Sequence, residues 1–230
     1  MIIDGGPKSA SQYIYTYIRD TLQLTHIDYM ISTHPHIDHV GGLAAVLNAV
    51  PADLLLTPVK EWDSKAFRAM LDYADRQGTA VAVPQAGDTL RLGRAAVTIL
   101  HCWPEAIGLG RTNDASIVLR VDYGETSFLF TGDAESARLQ ELVEEKLGQF
   151  DFLQVPHHGV WQTQLISLLN MVQPEAAVIT SSEKEPEDQA TVSLLEKYAG
   201  QIFLTREGEV DILSDGSSLS VCQEIFAAAA

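Results

Sequence analysis

Cysteine is scarce in this chain, with only Cys102 and Cys222 among 230 residues. Two such distant residues make no disulfide framework and read as unpaired small apolar side chains. Because Cys102 follows His101, the pair sits where one of the two could touch the edge of a site. Basic residues are also few: 15 Lys and Arg stand against 31 Asp and Glu, for a net charge of −16, and no basic run occurs. Nucleic-acid binders present a basic face because phosphate contacts supply most of their affinity. Tight, non-specific binding of DNA is therefore disfavoured. No apolar run approaches the roughly 18–20 residues that span a bilayer. The start, Met1-Ile2-Ile3-Asp4, lacks the basic and apolar regions of a signal peptide. The chain as given reads as cytoplasmic, and as secreted if its true N-terminus lies further upstream.

What remains is ordinary for a globular protein: 46% of residues are apolar and 20% charged, with ample length for one large core. Apart from a terminal run, Ala227 to Ala230, nothing resembles a linker, so a single domain over 1–230 is expected. Hydrophobic periodicity predicts strands at 1–3, 27–32 and 53–57, helices at 8–22, 38–50 and 63–77, and short strands near 79–83, 88–92 and 95–100. The second half predicts strands at 116–122, 126–131, 151–155 and 176–181, helices at 135–147, 162–172 and 187–199, and a final strand group at 201–222. Strand groups with interspersed helices imply an α/β fold of packed sheets flanked by helices.

The chemistry is concentrated in Thr33-His34-Pro35-His36-Ile37-Asp38-His39, directly after the strand-like segment 27–32. Three imidazoles and a carboxylate at this spacing serve no packing purpose that an apolar residue would not serve better. They suit one or two divalent transition metals. Two further polar clusters also follow apolar strands: Thr131-Gly132-Asp133, and Val155-Pro156-His157-His158-Gly159. Polar groups at three strand ends are what a shared rim would require. Taken alone, Thr-Gly-Asp is an ordinary turn, His26 reads as structural, and His101 reads as a core or surface residue.

The pattern H-x-H-x-D-H after a strand resembles the second motif of the metallo-β-lactamase superfamily, and the remaining motifs follow in that family's order. The resemblance implies a four-layer αββα sandwich, here lacking the family's first strand or two unless the sequence begins inside a longer chain. It also implies the site. His34 and His36 would hold one cation, Asp38, His39 and His158 (or His157) the other, and Asp133 would bridge them. Asp4, in Ile2-Ile3-Asp4-Gly5-Gly6, would orient a histidine. Within the superfamily the chain is similar to the hydrolase domain of ComEC and its stand-alone relatives. That likeness rests on residues 2–7, Ser32 to Gly42, Asn113-Asp114-Ala115-Ser116-Ile117-Val118-Leu119, His157-His158-Gly159 and Phe203-Leu204-Thr205-Arg206-Glu207-Gly208. One histidine common in the family, in a Pro-Gly-His segment, is missing. Arg111-Thr112-Asn113-Asp114 stands there instead, as in ComEC-like members. Asn113 or Asp114 is then a candidate fourth metal group, favouring Mn²⁺ over Zn²⁺, and Arg111 or Asn113 a candidate substrate contact.

These residues imply a hydrolase in which Asp38 and Asp133 act with cations that acidify a shared water. ComEC-like proteins are associated with degrading a DNA strand during competence. With a net charge of −16, a small phosphodiester or nucleotide fits better than long DNA, and single-stranded DNA stays open. Two rivals remain: the same centre cleaving a lactone, thioester or β-lactam, and a non-catalytic, metal-stabilised binding module. Trp62, Trp103 and Trp161 fall in loops near the expected site, where they either pack or stack on a base. Substrate identity and oligomeric state lie beyond these residues.

Overall fold

The computed structural model describes residues 1–225; the alanine run at 227–230 lies outside the described residues. The chain divides into two compact units, one built from Met1–Asp88 with His101–Ile117, the other from Thr89–Leu100 with the chain from Val118 onward.

The first unit is a parallel sheet of β1 (Ile2–Ile3), β2 (Ile27–Ile31), β3 (Ala52–Leu56) and β4 (Ala80–Ala82), in that order. Parallel neighbours need crossovers, and helices supply them. A helical segment over 8–21 includes α1 (Ser11–Thr16) and closes in a π-turn. Then come α2 (Ile37–Val40), α3 (Leu43–Ala49), α4 (Lys65–Gln77) and the short α5 (Glu105–Gly108). In α4, Phe67, Met70 and Ala74 fall on one face and are fully buried with Met30, Leu43, Leu47 and Leu55. Ser64 caps its N-terminus by accepting from Phe67 N–H at 3.2 Å, and Gly78, at φ 72°, ends it in the left-handed conformation.

The expected helix over 38–50 is instead two helices broken at Gly41-Gly42. The break has a steric cause. A Cβ on Gly42 would stand 2.1 Å from the Gly5 carbonyl oxygen, and one on Gly41 would stand 2.4 Å from Lys8 N. The loop after β1 crosses the helices at this point, and only glycine admits it. Helix α5 and a 3₁₀ turn at Asn113–Ala115 were not expected, because each is too short to show a periodicity.

The second unit carries a seven-stranded sheet. Its strands are β5 (Thr89–Leu92), β6 (Ala95–His101), β7 (Val118–Tyr123), β8 (Thr126–Phe130), β9 (Phe152–Gln154), β10 (Ala176–Ile179) and β11 (Gln201–Leu204), laid in that spatial order. The pairs β5–β6 and β7–β8 are antiparallel hairpins, whereas β8 through β11 are parallel. Alternation along the strands assigns the faces. Leu129, Leu153, Ala177 and Ile179 pack with Leu139, Leu169 and Leu195 of α6 (Ser136–Glu144), α7 (Leu165–Val172) and α8 (Gln189–Tyr198). Phe128, Phe130, Phe152 and Val178 face the other way, under the hairpin of β12 (Gly208–Ser214) and β13 (Leu219–Ile225), whose Val210, Ile212, Leu219 and Val221 cover them. Both units are α/β, as the strand and helix pattern predicts. Among the described residues, no helix is long and apolar enough to cross a membrane.

Candidate metal centre

In the first unit the polar cluster stands at the C-terminal ends of β1 and β2. Asp4 follows β1 and adopts φ 57°, a left-handed conformation that aspartate tolerates better than most residues. One carboxylate oxygen accepts from Thr33 N–H at 2.8 Å. The other meets the Thr33 hydroxyl at 2.7 Å and His39 Nδ1 at 2.7 Å. Gly5 N–H donates to the His39 carbonyl at 2.7 Å, so the β1 loop grips this histidine by both backbone and side chain. With Nδ1 held by a carboxylate, the His39 lone pair lies on Nε2, which is 3.7 Å from an Asp38 oxygen.

The other two imidazoles also converge. His34 Nε2 lies 3.1 Å from His36 Nδ1, and the rings of His34 and His39 are 4.1 Å apart between centroids. His34 is fully buried; its Nδ1 faces Thr33 Oγ1 at 3.2 Å and Ser116 Oγ at 3.5 Å. Two ring nitrogens this close repel through their lone pairs unless a proton or a cation lies between them. Their spacing is near the roughly 3.3 Å that separates two donors on one tetrahedral zinc with Zn–N bonds of about 2.0–2.1 Å. The donor set of nitrogen and carboxylate oxygen suits a divalent transition metal. These residues fit the group.

Arg111 is engaged with its own neighbours: its guanidinium pairs with buried Asp114 at 2.6 Å and lies 5.5 Å over the Trp103 ring. The 3₁₀ turn at Asn113–Ala115 delivers Ser116 to His34. His26 pairs with Asp53 at 3.0 Å on the surface. Burial pushes the Cys102 thiol up to about 12, helped by Glu105 and Asp88, so it stays protonated at neutral pH.

In the second unit the clusters follow β8 and β9. Gln154, the last residue of β9, accepts from Thr131 N–H and Gly132 N–H, each at 2.9 Å, and its amide donates to the Val155 carbonyl at 2.7 Å. His157 N–H donates to the Gly132 carbonyl at 3.1 Å. These bonds lock the two loops together, with Asp133 buried between them at 3% exposure. His157 and His158 both adopt left-handed φ, 49° and 53°, which costs non-glycine residues energy. The bend turns both rings towards Asp133. His158 Nε2 is 3.4 Å from an Asp133 oxygen and His157 Nε2 is 3.9 Å from it, while His157 Nδ1 is also 3.4 Å from Glu135.

The two histidines differ on their far sides. His158 Nδ1 meets the Thr180 carbonyl at 2.7 Å, which leaves Nε2 as its lone-pair nitrogen. Next to it, Gly159 at φ 78° has no room for a side chain, because a Cβ would stand 2.8 Å from that of Glu187. Arg206, after β11, reaches both Glu187 oxygens at 3.2 Å from Nε. Burial alone would raise the Glu187 carboxyl. Hydrogen bonds from Ser181, its own backbone and Arg206 outweigh that and leave it below its ordinary value. Asp188 accepts from Trp161 N–H at 2.6 Å and donates its own N–H to the Gly159 carbonyl at 3.2 Å. The histidine loop is thus pinned on each side.

Sequence reading assigned no role to Thr33 and Ser116, which lie inside its own motifs, nor to Gln154 and Thr180, which stand at the ends of neighbouring strands.

The first unit supplies a prediction of its own. Gly42→Ala would put a Cβ 2.1 Å from the present position of the Gly5 carbonyl oxygen, displacing the β1 loop and drawing Asp4 away from His39. We expect about 1–3 kcal/mol of destabilisation from the overpacking and metal affinity about ten-fold or more weaker. Chelator competition and denaturant titration measure the two effects. Unchanged metal affinity would mean that the β1 loop does not position His39.

Strand-end histidines and aspartates, carried on α/β units, define a metal-binding class of protein. Comparison with known proteins agrees. The family model of the metallo-β-lactamase superfamily matches residues 1–181. Recombination protein 2 of Haemophilus influenzae is 30% identical over 74% of this chain, and ComE operon protein 3 of Bacillus subtilis is 25% identical over 79% of it. The chain spans only 20% and 24% of those two relatives' lengths. The metallo-β-lactamase fold protein YhfI of Bacillus subtilis shares the fold, with a TM-score of 0.56 at 10% identity over 95% of this chain and 86% of its own. The chain belongs to the metallo-β-lactamase superfamily. It is a metal-dependent hydrolase, similar to ComEC-like proteins, in a fold family that typically binds one or two divalent metals.

Proposed function

We propose that the two units act as one hydrolase domain and that the substrate is a phosphodiester. The observation that carries the site assignment is a repeated geometry. In each unit one histidine has Nδ1 fastened to an oxygen, Asp4 for His39 and Thr180 for His158, and turns Nε2 towards a carboxylate, Asp38 or Asp133. An Nδ1 fastened to an oxygen, with Nε2 turned to a carboxylate, is how a protein orients an imidazole to ligate a metal. The family model spans both sets of residues, which supports their serving one centre. His34 and His36 would hold one cation, Asp38, His39 and His158 another, and Asp133 would bridge. His158 is preferred over His157 because its Nδ1 is fastened to the backbone carbonyl of Thr180.

Divalent cations bound here, Mn²⁺ or Zn²⁺, would acidify water and offset negative charge developing on the substrate's oxygens. The residues do the rest. Asp38, about 42% exposed, would orient the attacking water and accept its proton as the new P–O bond forms. That proton then goes to the leaving oxygen as the old ester bond breaks. Asp4, Thr33 and Ser116 hold the imidazoles in the first unit, and Gln154 and Thr180 hold Asp133 and His158 in the second. Asn113 and the partly exposed Arg111, held by buried Asp114 at 2.6 Å, stand in the segment where the family's usual histidine is missing, and we assign these two to substrate contact.

The phosphodiester assignment is supported by the similarity to Recombination protein 2 and ComE operon protein 3. With a net charge of −16, short diesters, nucleotides or single-stranded DNA are favoured over long duplex. The test is hydrolysis of bis(p-nitrophenyl) phosphate by metal-stripped protein titrated with Mn²⁺ and then Zn²⁺. Metal-restored turnover is expected. Turnover of nitrocefin or a lactone without diester cleavage would replace the substrate assignment, and metal binding without any turnover would indicate a binding module.

A further inference from the structure

We propose that a cleft beside Trp62 in the first unit receives the nucleobase next to the scissile phosphodiester. The proposal rests on the phosphodiesterase reading above and names the part of the substrate that does not react. The cleft, about 470 Å³, opens between the loop after β3 and the first turns of α4. That volume lies within the range of small-molecule sites. Trp62, Phe67 and Leu71 give it an apolar lining. Phe67 is fully buried, whereas Trp62 is half-buried, packed against the core by part of its ring and lining the cleft.

Trp62 is also a neighbour of the metal motif: its ring centroid lies 6.5 Å from that of His36, at an interplanar angle of 59°. One side chain therefore borders both a candidate metal ligand and a cleft. A group in that cleft would sit beside the reacting phosphate and outside the reaction itself.

The chemistry of the lining selects the occupant. An indole stacks on any flat ring, and a nucleobase is the flat ring that a phosphodiester of nucleic-acid type carries. The rim bears Lys60 and Arg68 against Glu61 and Asp63, with Arg68 bonded to Asp63 at 2.6 Å. Two cations against two carboxylates leave the rim formally neutral in a chain of net charge −16, so the sugar-linked phosphate of a bound nucleotide meets less repulsion here than over an average patch. Stacking without edge-specific hydrogen bonds predicts tolerance of base identity.

The experiment compares two substrates with one leaving group: the p-nitrophenyl ester of thymidine 5′-phosphate, which carries a base, and methyl p-nitrophenyl phosphate, which does not. The quantity read is the ratio of their kcat/KM values in the Mn²⁺-loaded protein, with metal content measured alongside. Trp62→Ala is expected to lower that ratio on the order of ten-fold, chiefly through KM, as loss of one stacked base does. Trp62→Phe, which keeps an aromatic face and guards against loss of loop structure, is expected to retain most of the ratio. An unchanged ratio in Trp62→Ala, or an equal loss in Trp62→Ala and Trp62→Phe, would overturn the proposal. If the wild type cleaves neither ester, the phosphodiesterase reading fails by itself. Calorimetric binding of thymidine 5′-monophosphate then decides: binding lost in Trp62→Ala supports the cleft as a base site, and binding that is absent or independent of Trp62 overturns it.

Discussion

Asp133→Asn is expected to lower metal-dependent hydrolysis by at least the roughly 10²–10³-fold that follows removal of one well-placed electrostatic group. The exchange keeps the side chain's volume and removes its charge. Asp133 is nearly inaccessible, and its loop is held by Gln154 through the Thr131 and Gly132 amides, so the fold should persist. What changes is the anion facing His158 Nε2 at 3.4 Å. If Asp133 bridges two cations, the variant should also bind fewer metal equivalents than the wild type. Turnover with Mn²⁺ and metal content by elemental analysis are the two measurements. Full metal-dependent turnover in the variant would remove Asp133 from the site and with it the two-metal assignment.

Asp4→Ala should act through a different property, affinity for the metal. Asp4 fastens Thr33 N–H, the Thr33 hydroxyl and His39 Nδ1 with contacts of 2.7–2.8 Å. Losing such an orienting carboxylate typically weakens metal binding about 10–100-fold. Leaving the Thr33 N–H without its acceptor costs a further roughly 1–3 kcal/mol of stability. The two effects separate by measurement. A metal present at 100 times its dissociation constant stabilises a protein by about 2.7 kcal/mol, so a hundred-fold weaker variant should gain little on adding metal. Denaturation with and without Mn²⁺, together with chelator competition, measures both. A variant that is less stable yet binds metal normally would reduce Asp4 to a loop-fastening residue.

Most of the fold was legible because its signals are local. Helix α4 carries its start in Ser64, its stop in Gly78 and its buried face in the spacing of Phe67, Met70 and Ala74. Strands β7 and β8 carry their turn in Asp122-Tyr123-Gly124-Glu125. The helix over 38–50 broke at Gly41-Gly42 for a reason no local window contains, namely the passage of the loop after β1 at 2.1 Å from where a Cβ would be. The short helix α5 and the Asn113–Ala115 turn left too few residues to show a period.

The site divides along the same line. Residue types and spacing in His34-Pro35-His36-Ile37-Asp38-His39, with Asp133 and His157-His158 after apolar strands, determined that this chain handles divalent metal, because no packing role explains so many imidazoles and carboxylates. Family order then pointed to Asp4. The sequence could not say which nitrogen each histidine presents, since that depends on what lies against the other nitrogen. Thr180 is 22 positions from His158, and Asp4 is 35 from His39. Only the tertiary structure brings these oxygens to the Nδ1 atoms and sets Trp62 beside His36, whereas the preference for His158 over His157 already followed from the family likeness. Residue chemistry is a property of the chain, but the direction of a lone pair is set by contacts between segments that are distant along it.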